Sequence, residues 1–401
     1  MAIEVLNPLD HDSRSNAEDL DYWTHHCVPV LSSLLRSAES YLPADQDAQL
    51  RVLYEHVLPN LGPRPSVAHT RSFLTQSGSP FQPSINLSSG KPQVRYCWEL
   101  LGHCGGSDSD PFAVEAAREI LPSLSTAFGF CTRWTDAFIS AFAPTPEEAK
   151  VTQAKLPKWL ESFTSAASEV PPIKRLPFAF VAFDLKGPKT SIKAYFNPKA
   201  KEIATGTPAT EMTWNVLRNL VPCINPASID VLAQFLTERS VPSTIELVGI
   251  DCVDEASLSD ARVKLYVHSM SNSFNTVRDY VTLGGRLQDA TTLKGLAVLR
   301  DIWHLLLQEP EGIVGDDYNK PLNDGSMLCQ RLYFSFEMRP GREFPEVKTY
   351  LPTWNYARSD EAIVQNYEEV FRKCGHEWGM DGRYKKVFES ALYVTAPSLL
   401  P

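Results

Sequence analysis

Polar and apolar positions along this chain follow two rhythms. From Asn16 to Leu61 apolar residues recur at spacings of three and four, in Trp23, Cys27, Val30, Leu31, Leu34 and Leu35 and again in Leu50, Leu53, Val57 and Leu58. That spacing predicts helix, punctuated at Pro43 and Pro63. The period then falls to two, and strands are expected over about 80–88 and 92–101, joined by the turn-rich Ser88-Ser89-Gly90-Lys91-Pro92. Residues 102–110 read as a loop. Helical pattern returns at 111–128 and 134–166, with Thr145-Pro146-Glu147-Glu148 as an N-cap followed by proline and acids in the first turn. Strands follow at 176–185 and 190–197, helices at 208–220 and 227–239, strands at 244–253 and 260–269, and helices at 273–282 and 290–308. Strands at 329–338 and 345–352 and a helix over 359–374, closed by Gly375, complete the reading. The order is helix, helix, strand, strand, four times over and a fifth time in part.

Four of the strands share a second pattern, in which cations fall among tyrosines on apolar runs. They are Val94-Arg95-Tyr96-Cys97-Trp98, Ile192-Lys193-Ala194-Tyr195-Phe196, Arg262-Val263-Lys264-Leu265-Tyr266-Val267-His268 and Val347-Lys348-Thr349-Tyr350-Leu351. Residues two apart on a strand point to the same face. Lys193 therefore sits beside Tyr195, Lys348 beside Tyr350, and Arg262, Lys264, Tyr266 and His268 form one inward series. Trp98, three residues from Arg95, points to the opposite face. Strand pairs joined by tight turns are antiparallel, and a repeated supersecondary unit closes into a solenoid, propeller or barrel. The expectation is an α/β fold, a single domain over 1–401, with about ten antiparallel strands around a ligand lumen and helices outside.

Composition narrows the partners. Of 401 residues, 43% are hydrophobic and 21% charged, as in ordinary globular proteins, and the formal net charge is −10. An acidic chain is a poor match for nucleic acid or an anionic membrane, so an anionic ligand has to be drawn by a local cluster of cations. Met1 to Asp10 show no secretory pattern, no run suits a membrane span, and the eight cysteines lack metal-binding or paired spacing. A cytoplasmic protein with free thiols, monomer or homodimer, is expected. No Asp-rich metal box is present: Asp316-Asp317 runs on into Tyr318-Asn319-Lys320. The histidines at 25, 26, 56, 103 and 376 show no ligand spacing, and Gly102-His103-Cys104-Gly105-Gly106 lacks the lysine of a phosphate-binding loop. Trp214, Trp303 and Trp378 lie on helical patterns and read as packing residues.

Taken in order, Val-Arg-Tyr at 94–96, Lys-x-Tyr at 193–195, Arg-x-Lys-x-Tyr at 262–266 and Pro-Glu-Val-Lys-x-Tyr-x-Pro at 345–352 resemble the fungal aromatic prenyltransferases of the dimethylallyltryptophan synthase family. Ser84-Ile85-Asn86-Leu87 and Thr282-Leu283-Gly284-Gly285 add to the resemblance, which spans about 20–396. It implies the ααββ prenyltransferase barrel and transfer of a dimethylallyl group from dimethylallyl diphosphate to an aromatic small molecule, with no metal required. It also implies roles for residues. Arg95, Lys193, Arg262, Lys264 and Lys348 would grip the diphosphate, with Lys193 and Lys264 central to catalysis, and Tyr195, Tyr266 and Tyr350 would shield the allyl cation. His268, continuing the inward series, is a candidate catalytic base beside pyrophosphate itself.

Departures from the family pattern bear on the acceptor. Gln82 stands where indole-using members have a glutamate, and Phe180 where tryptophan-alkylating members have a lysine. Those acceptor-binding positions point away from free tryptophan and toward an indole alkaloid or tryptophan-containing cyclic dipeptide, with a phenolic polyketide second. The family ends in a further strand bearing two tyrosines, whereas few residues follow Tyr393-Val394-Thr395 here. A degenerate, non-catalytic ligand-binding barrel is the alternative that this departure favours.

Overall fold

The computed structural model describes residues 8–65, 72–75, 77–87, 91–161, 175–239, 243–323 and 332–392. Expectations that fall on 88–90, 162–166, 329–331 and Tyr393-Val394-Thr395 lie outside them.

Helices α1 (Pro8–Ser37) and α2 (Pro43–Val52) precede strands β1 (Phe81–Asn86) and β2 (Gln93–Glu99). Three helices follow, α3 (Val114–Phe128), α4 (Arg133–Phe142) and α5 (Pro146–Glu161), then β3 (Ala179–Lys186) and β4 (Lys189–Phe196). The third unit is α6 (Lys199–Thr205), α7 (Ala209–Asn219) and α8 (Pro226–Thr237) with β5 (Ile245–Cys252) and β6 (Val263–Ser269). The fourth is α9 (Phe274–Val281) and α10 (Ala290–Leu306) with β7 (Leu332–Met338) and β8 (Glu346–Tyr350), after which α11 (Asp360–Lys373) and α12 (Arg383–Leu392) begin a fifth. The helix, helix, strand, strand order is as the sequence predicts, with two corrections. The run expected over 134–166 is two helices, because Thr145 and Glu148 form a reciprocal capping box that starts α5 afresh: the Thr145 N–H donates to Glu148 Oε2 at 2.8 Å and the Glu148 N–H to Thr145 Oγ1 at 3.2 Å. The short α6 is an addition.

All eight strands form one antiparallel sheet in sequence order, β1 to β8. About ten were expected, and the described residues supply eight, so β1 and β8 are the edges of what is described. The outward face carries the core. Val94, Tyr96, Trp98, Val181, Phe183, Ile192, Phe196, Val248, Ile250, Leu265, Val267, Phe334 and Phe336 are all buried under the helices. Each aromatic or branched residue removed from water there contributes about 1.5–3 kcal/mol, so the alternation itself drives one face of the sheet against the helical layer. The layer also fixes the strands. The Tyr41 hydroxyl donates to the Leu185 carbonyl and accepts from the Val94 N–H, each at 2.9 Å, tying β2 to β3. The Gln49 amide donates to the carbonyls of Gly187 (2.8 Å) and Lys189 (3.1 Å) and accepts from Thr190 Oγ1 (3.0 Å), clamping the β3–β4 turn. Trp214, Trp303 and Trp378 are buried, as their packing reading requires.

Candidate active site

With the apolar residues taken by the helices, every inward position falls on one face. Arg95, Cys97 and Glu99 come from β2, Phe180, Ala182 and Asp184 from β3, Lys193 and Tyr195 from β4, and Gly249 and Asp251 from β5. Lys264, Tyr266 and His268 come from β6, Tyr333, Ser335 and Glu337 from β7, and Lys348 and Tyr350 from β8. Arg262 flanks β6 and continues its inward series. The five cations chosen from the sequence thus stand on one sheet, on one face.

They are not bare. Asp184 pairs with Arg95 (Nε–Oδ1 3.2 Å) and with Lys193. Arg262 grips Asp251 with two parallel contacts, Nε to Oδ2 at 2.6 Å and Nη2 to Oδ1 at 3.0 Å, the bidentate fork that guanidinium suits. Glu337, only 3% exposed, lies under three cations. Its Oε1 is 3.3 Å from Lys264 Nζ and 2.5 Å from Lys348 Nζ, and its Oε2 is 3.2 Å from Arg262 Nη1. The sequence reading missed Asp184, Asp251 and Glu337. Each is an acid within an apolar strand, Phe-Asp-Leu, Ile-Asp-Cys and Phe-Glu-Met, at an inward position. A buried carboxylate needs a partner, so acids inside such strands were the available signal. Five cations against three carboxylates leave a formal surplus of two positive charges.

Proton affinities follow from this arrangement. Burial lowers the Lys264 ammonium to about 8, with Glu337 opposing and Lys193 and Arg262 adding to the fall. Burial alone would raise the Glu337 carboxyl, but Lys264, Lys348 and Arg262 together hold it at about 2. Burial would lower Arg262, and Asp251 and Glu337 outweigh it and raise the guanidinium further.

The tyrosines form an arc beside the cations. Ring centroids of Tyr195 and Tyr266 are 6.0 Å apart and those of Tyr266 and Tyr350 5.9 Å apart. They come from alternate strands, and the intervening strands carry small residues: Gly249 on β5 and Ser335 on β7. A Cβ on Gly249 would lie 2.7 Å from Tyr195 Cε1, so only glycine leaves room for the ring. Burial pushes both Tyr195 and Tyr266 well above the ordinary phenol range, and it pushes the inward Cys97 thiol up to about 12. The lumen therefore presents neutral phenol faces and a neutral thiol. A phenolate or thiolate beside an electrophile would itself be alkylated. Tyr350, on β8, is 41% exposed and the least enclosed of the three.

The positions expected to bind the acceptor lie on the same face, on β1 and β3. Gln82 stands opposite Cys97, and its amide nitrogen donates to the Leu74 carbonyl at 3.1 Å, which leaves Oε1 as an acceptor. Phe180 is buried between Glu99 and Tyr195 in register. Glu99 is itself fully buried in an ion pair with Arg175 at 2.5 Å. His268 sits two residues beyond Tyr266, and its Nδ1 is 2.5 Å from Glu246 Oε1, a partner the sequence reading also missed. Among the described residues no group of three or more His, Cys, Asp or Glu is gathered as a metal site, and no helix is long and apolar enough to cross a membrane. The described cysteines are free thiols. A cavity of about 370 Å³ lined by Ala137, Ala141, Met212 and Val216 lies among the outer helices and shares none of these side chains.

A family model described as tryptophan dimethylallyltransferase matches residues 19–387. The indole diterpene prenyltransferase terF of Tolypocladium album is 66% identical over 382 residues, 95% of this chain and 88% of that protein. The indole diterpene prenyltransferase ltmF of Epichloe festucae var. lolii is 55% identical over 386 residues, 96% of this chain and 88% of that protein. Among solved structures, that of AnaPT from Neosartorya fischeri matches with a TM-score of 0.77 at 27% identity, covering 93% of this chain and 85% of that one.

Proposed function

This chain belongs to the tryptophan dimethylallyltransferase family and is an aromatic prenyltransferase, and from that premise we propose that it moves a dimethylallyl group from dimethylallyl diphosphate onto the indole of a polycyclic acceptor without a metal ion. The observation that carries this reading is the single inward face on which Arg95, Lys193, Arg262, Lys264 and Lys348 adjoin the Tyr195–Tyr266–Tyr350 arc. The degenerate, non-catalytic barrel is set aside by high identity over the whole chain to proteins named as prenyltransferases.

The mechanism follows from the charges. Breaking the allylic C–O bond leaves its electron pair on the diphosphate and a carbocation on the five-carbon chain. Fixed cations stabilise the growing negative charge without reorganising solvent, and loss of one such preorganised group typically costs about 10²–10³-fold. Asp184, Asp251 and Glu337 hold those cations in position before substrate arrives and spare them mutual repulsion. The surplus positive charge remains for the diphosphate. Tyrosine faces stabilise the carbocation by cation–π contact, worth about 2 kcal/mol when desolvated, and exclude the water that would trap it as an alcohol. The acceptor ring then attacks, and a base removes its proton.

Two substitutions shape the acceptor end. Gln82 offers an amide oxygen in place of a carboxylate, and Phe180 offers a ring in place of an ammonium. Both suit a large, weakly polar acceptor better than a zwitterionic amino acid, and the relatives named for indole diterpenes support that class. The test is competition among an indole diterpene, a tryptophan-containing cyclic dipeptide, free L-tryptophan and a phenol, with dimethylallyl diphosphate as donor. The indole diterpene should have the highest kcat/KM, and Gln82→Glu should shift preference toward simple indoles, since a carboxylate accepts an indole N–H more strongly than an amide. Free tryptophan outrunning the other acceptors contradicts the reading.

A further inference from the structure

Of the seven strand pairings, six run in unbroken register. Between β5 and β6 the register slips: Ile245 stands opposite Val267 and Leu247 opposite Tyr266, so that two steps on β5 answer one on β6. The residue passed over is Glu246. By alternation from Asp251 and Gly249, it belongs to the outward face with Val248 and Ile250, which are buried in the core. A carboxylate there would be an unpaired charge in an apolar layer. A bulge re-aims a side chain, and this one brings Glu246 to the inward face, where Oε1 is 2.5 Å from His268 Nδ1.

We propose that Glu246 and His268 are the proton-accepting pair of the reaction, with His268 the catalytic base and Glu246 its positioning residue. The proposal rests on the prenyl-transfer reading above. Along β6 the inward series runs Lys264, Tyr266, His268. At about 3.4 Å per residue, His268 is about 14 Å from Lys264 along the strand, with Tyr266 midway. The donor's diphosphate at Lys264 and its carbocation at Tyr266 leave the acceptor ring next to His268. A carboxylate on Nδ1 fixes the proton there and leaves Nε2 bare. The Glu246 oxygen lies off the N–H axis, so Nδ1 has no aligned acceptor, and catalytic hydrogen bonds commonly tighten once substrate is bound.

The step balances. The allylic C–O pair departs on the diphosphate, and a ring π pair forms the new C–C bond. The arenium's ring proton passes to Nε2, its C–H pair restores aromaticity, and the imidazolium is stabilised by Glu246 until it returns the proton to solvent. Among the described residues, the other titratable side chains on this stretch of the face are Tyr266 on β6 itself, Tyr333 from β7, with ring centroids 6.4 Å from His268, and Tyr350 from β8, opposite Tyr333. All are phenols, so Glu246 is the carboxyl group of the set.

Spectra of protein with ring-nitrogen-labelled histidine test the pair without an acceptor. The signal lost in His268→Asn should show protonated Nδ1 and bare Nε2, and that preference should be lost in Glu246→Gln. With dimethylallyl diphosphate and an indole diterpene, His268→Asn should lower kcat by roughly 10²-fold or more, the usual worth of a general base. Glu246→Gln should lower kcat less and leave KM for dimethylallyl diphosphate unchanged. If wild type transfers the group and both variants match it in kcat, the pair is overturned and the proton goes to the departing diphosphate. If wild type is inert, the prenyl-transfer reading fails instead. The spectra then decide the pair separately: an Nε2–H tautomer overturns it and an Nδ1–H tautomer supports it.

Discussion

Lys264 is where the electrostatics of the site are most exposed to test. It is 7% exposed, and burial holds it at about 8 while Glu337 opposes. The ammonium is therefore present at pH 7 and lost as pH rises through about 8, so turnover should show an alkaline limb there. Glu337→Gln removes the anion that opposes burial, which lowers the Lys264 pKa further and should move that limb to lower pH. A limb unmoved by the substitution would separate it from Lys264. Lys264→Ala should reduce kcat by roughly 10²-fold or more, whereas Lys189→Ala, on the exposed end of β4, should change it little. Equal losses in both variants contradict the assignment. At this scale the cations and tyrosines were legible, because Lys-x-Tyr spacing on a strand already fixes a shared face. The carboxylates were not, since a lone Asp or Glu in a strand shows its partners only once register sets neighbouring strands side by side.

Strands place these side chains, and small residues decide how closely they fit. Gly249 on β5 lies under the Tyr195 ring, with its would-be Cβ 2.7 and 2.8 Å from two ring carbons. Gly249→Ala must push the ring out of the arc. The cost in stability should be about 1–3 kcal/mol, as for other overpacked positions, readable by urea unfolding. The mechanistic sign is a larger share of dimethylallyl alcohol relative to prenylated acceptor, because the displaced ring no longer excludes water. An unchanged partition with lowered stability would limit Gly249 to packing. Period-two runs located all eight strands, since half-buried strands carry that signal throughout. Two element-level features escaped it. The helix break before α5 depends on a capping box within an otherwise continuous pattern, and the slip at Glu246 inverts the face that strict alternation assigns.

Across the molecule, the proposed function requires a chain of net charge −10 to attract a polyanion, and the sheet offers five cations gathered from four segments far apart in sequence. Element order made the ααββ repeat readable before any contact was known. The strand count did not follow as directly, for the described residues supply eight strands where about ten were expected. Identity of the acceptor was the least legible property, because it depends on the shape of a lumen assembled from many strands, of which Gln82 and Phe180 are two points. The central claim is that this shared face ionises dimethylallyl diphosphate with side-chain cations and delivers the carbocation to an indole. Mass spectrometry of the protein's reaction with dimethylallyl diphosphate and an indole diterpene, run in EDTA, tests it most directly. The account predicts an acceptor one dimethylallyl unit heavier, formed as fast in chelator as with Mg²⁺ and abolished in the Lys193→Ala/Lys264→Ala double variant. Product that appears only when Mg²⁺ is restored, or that persists in the double variant, would contradict it.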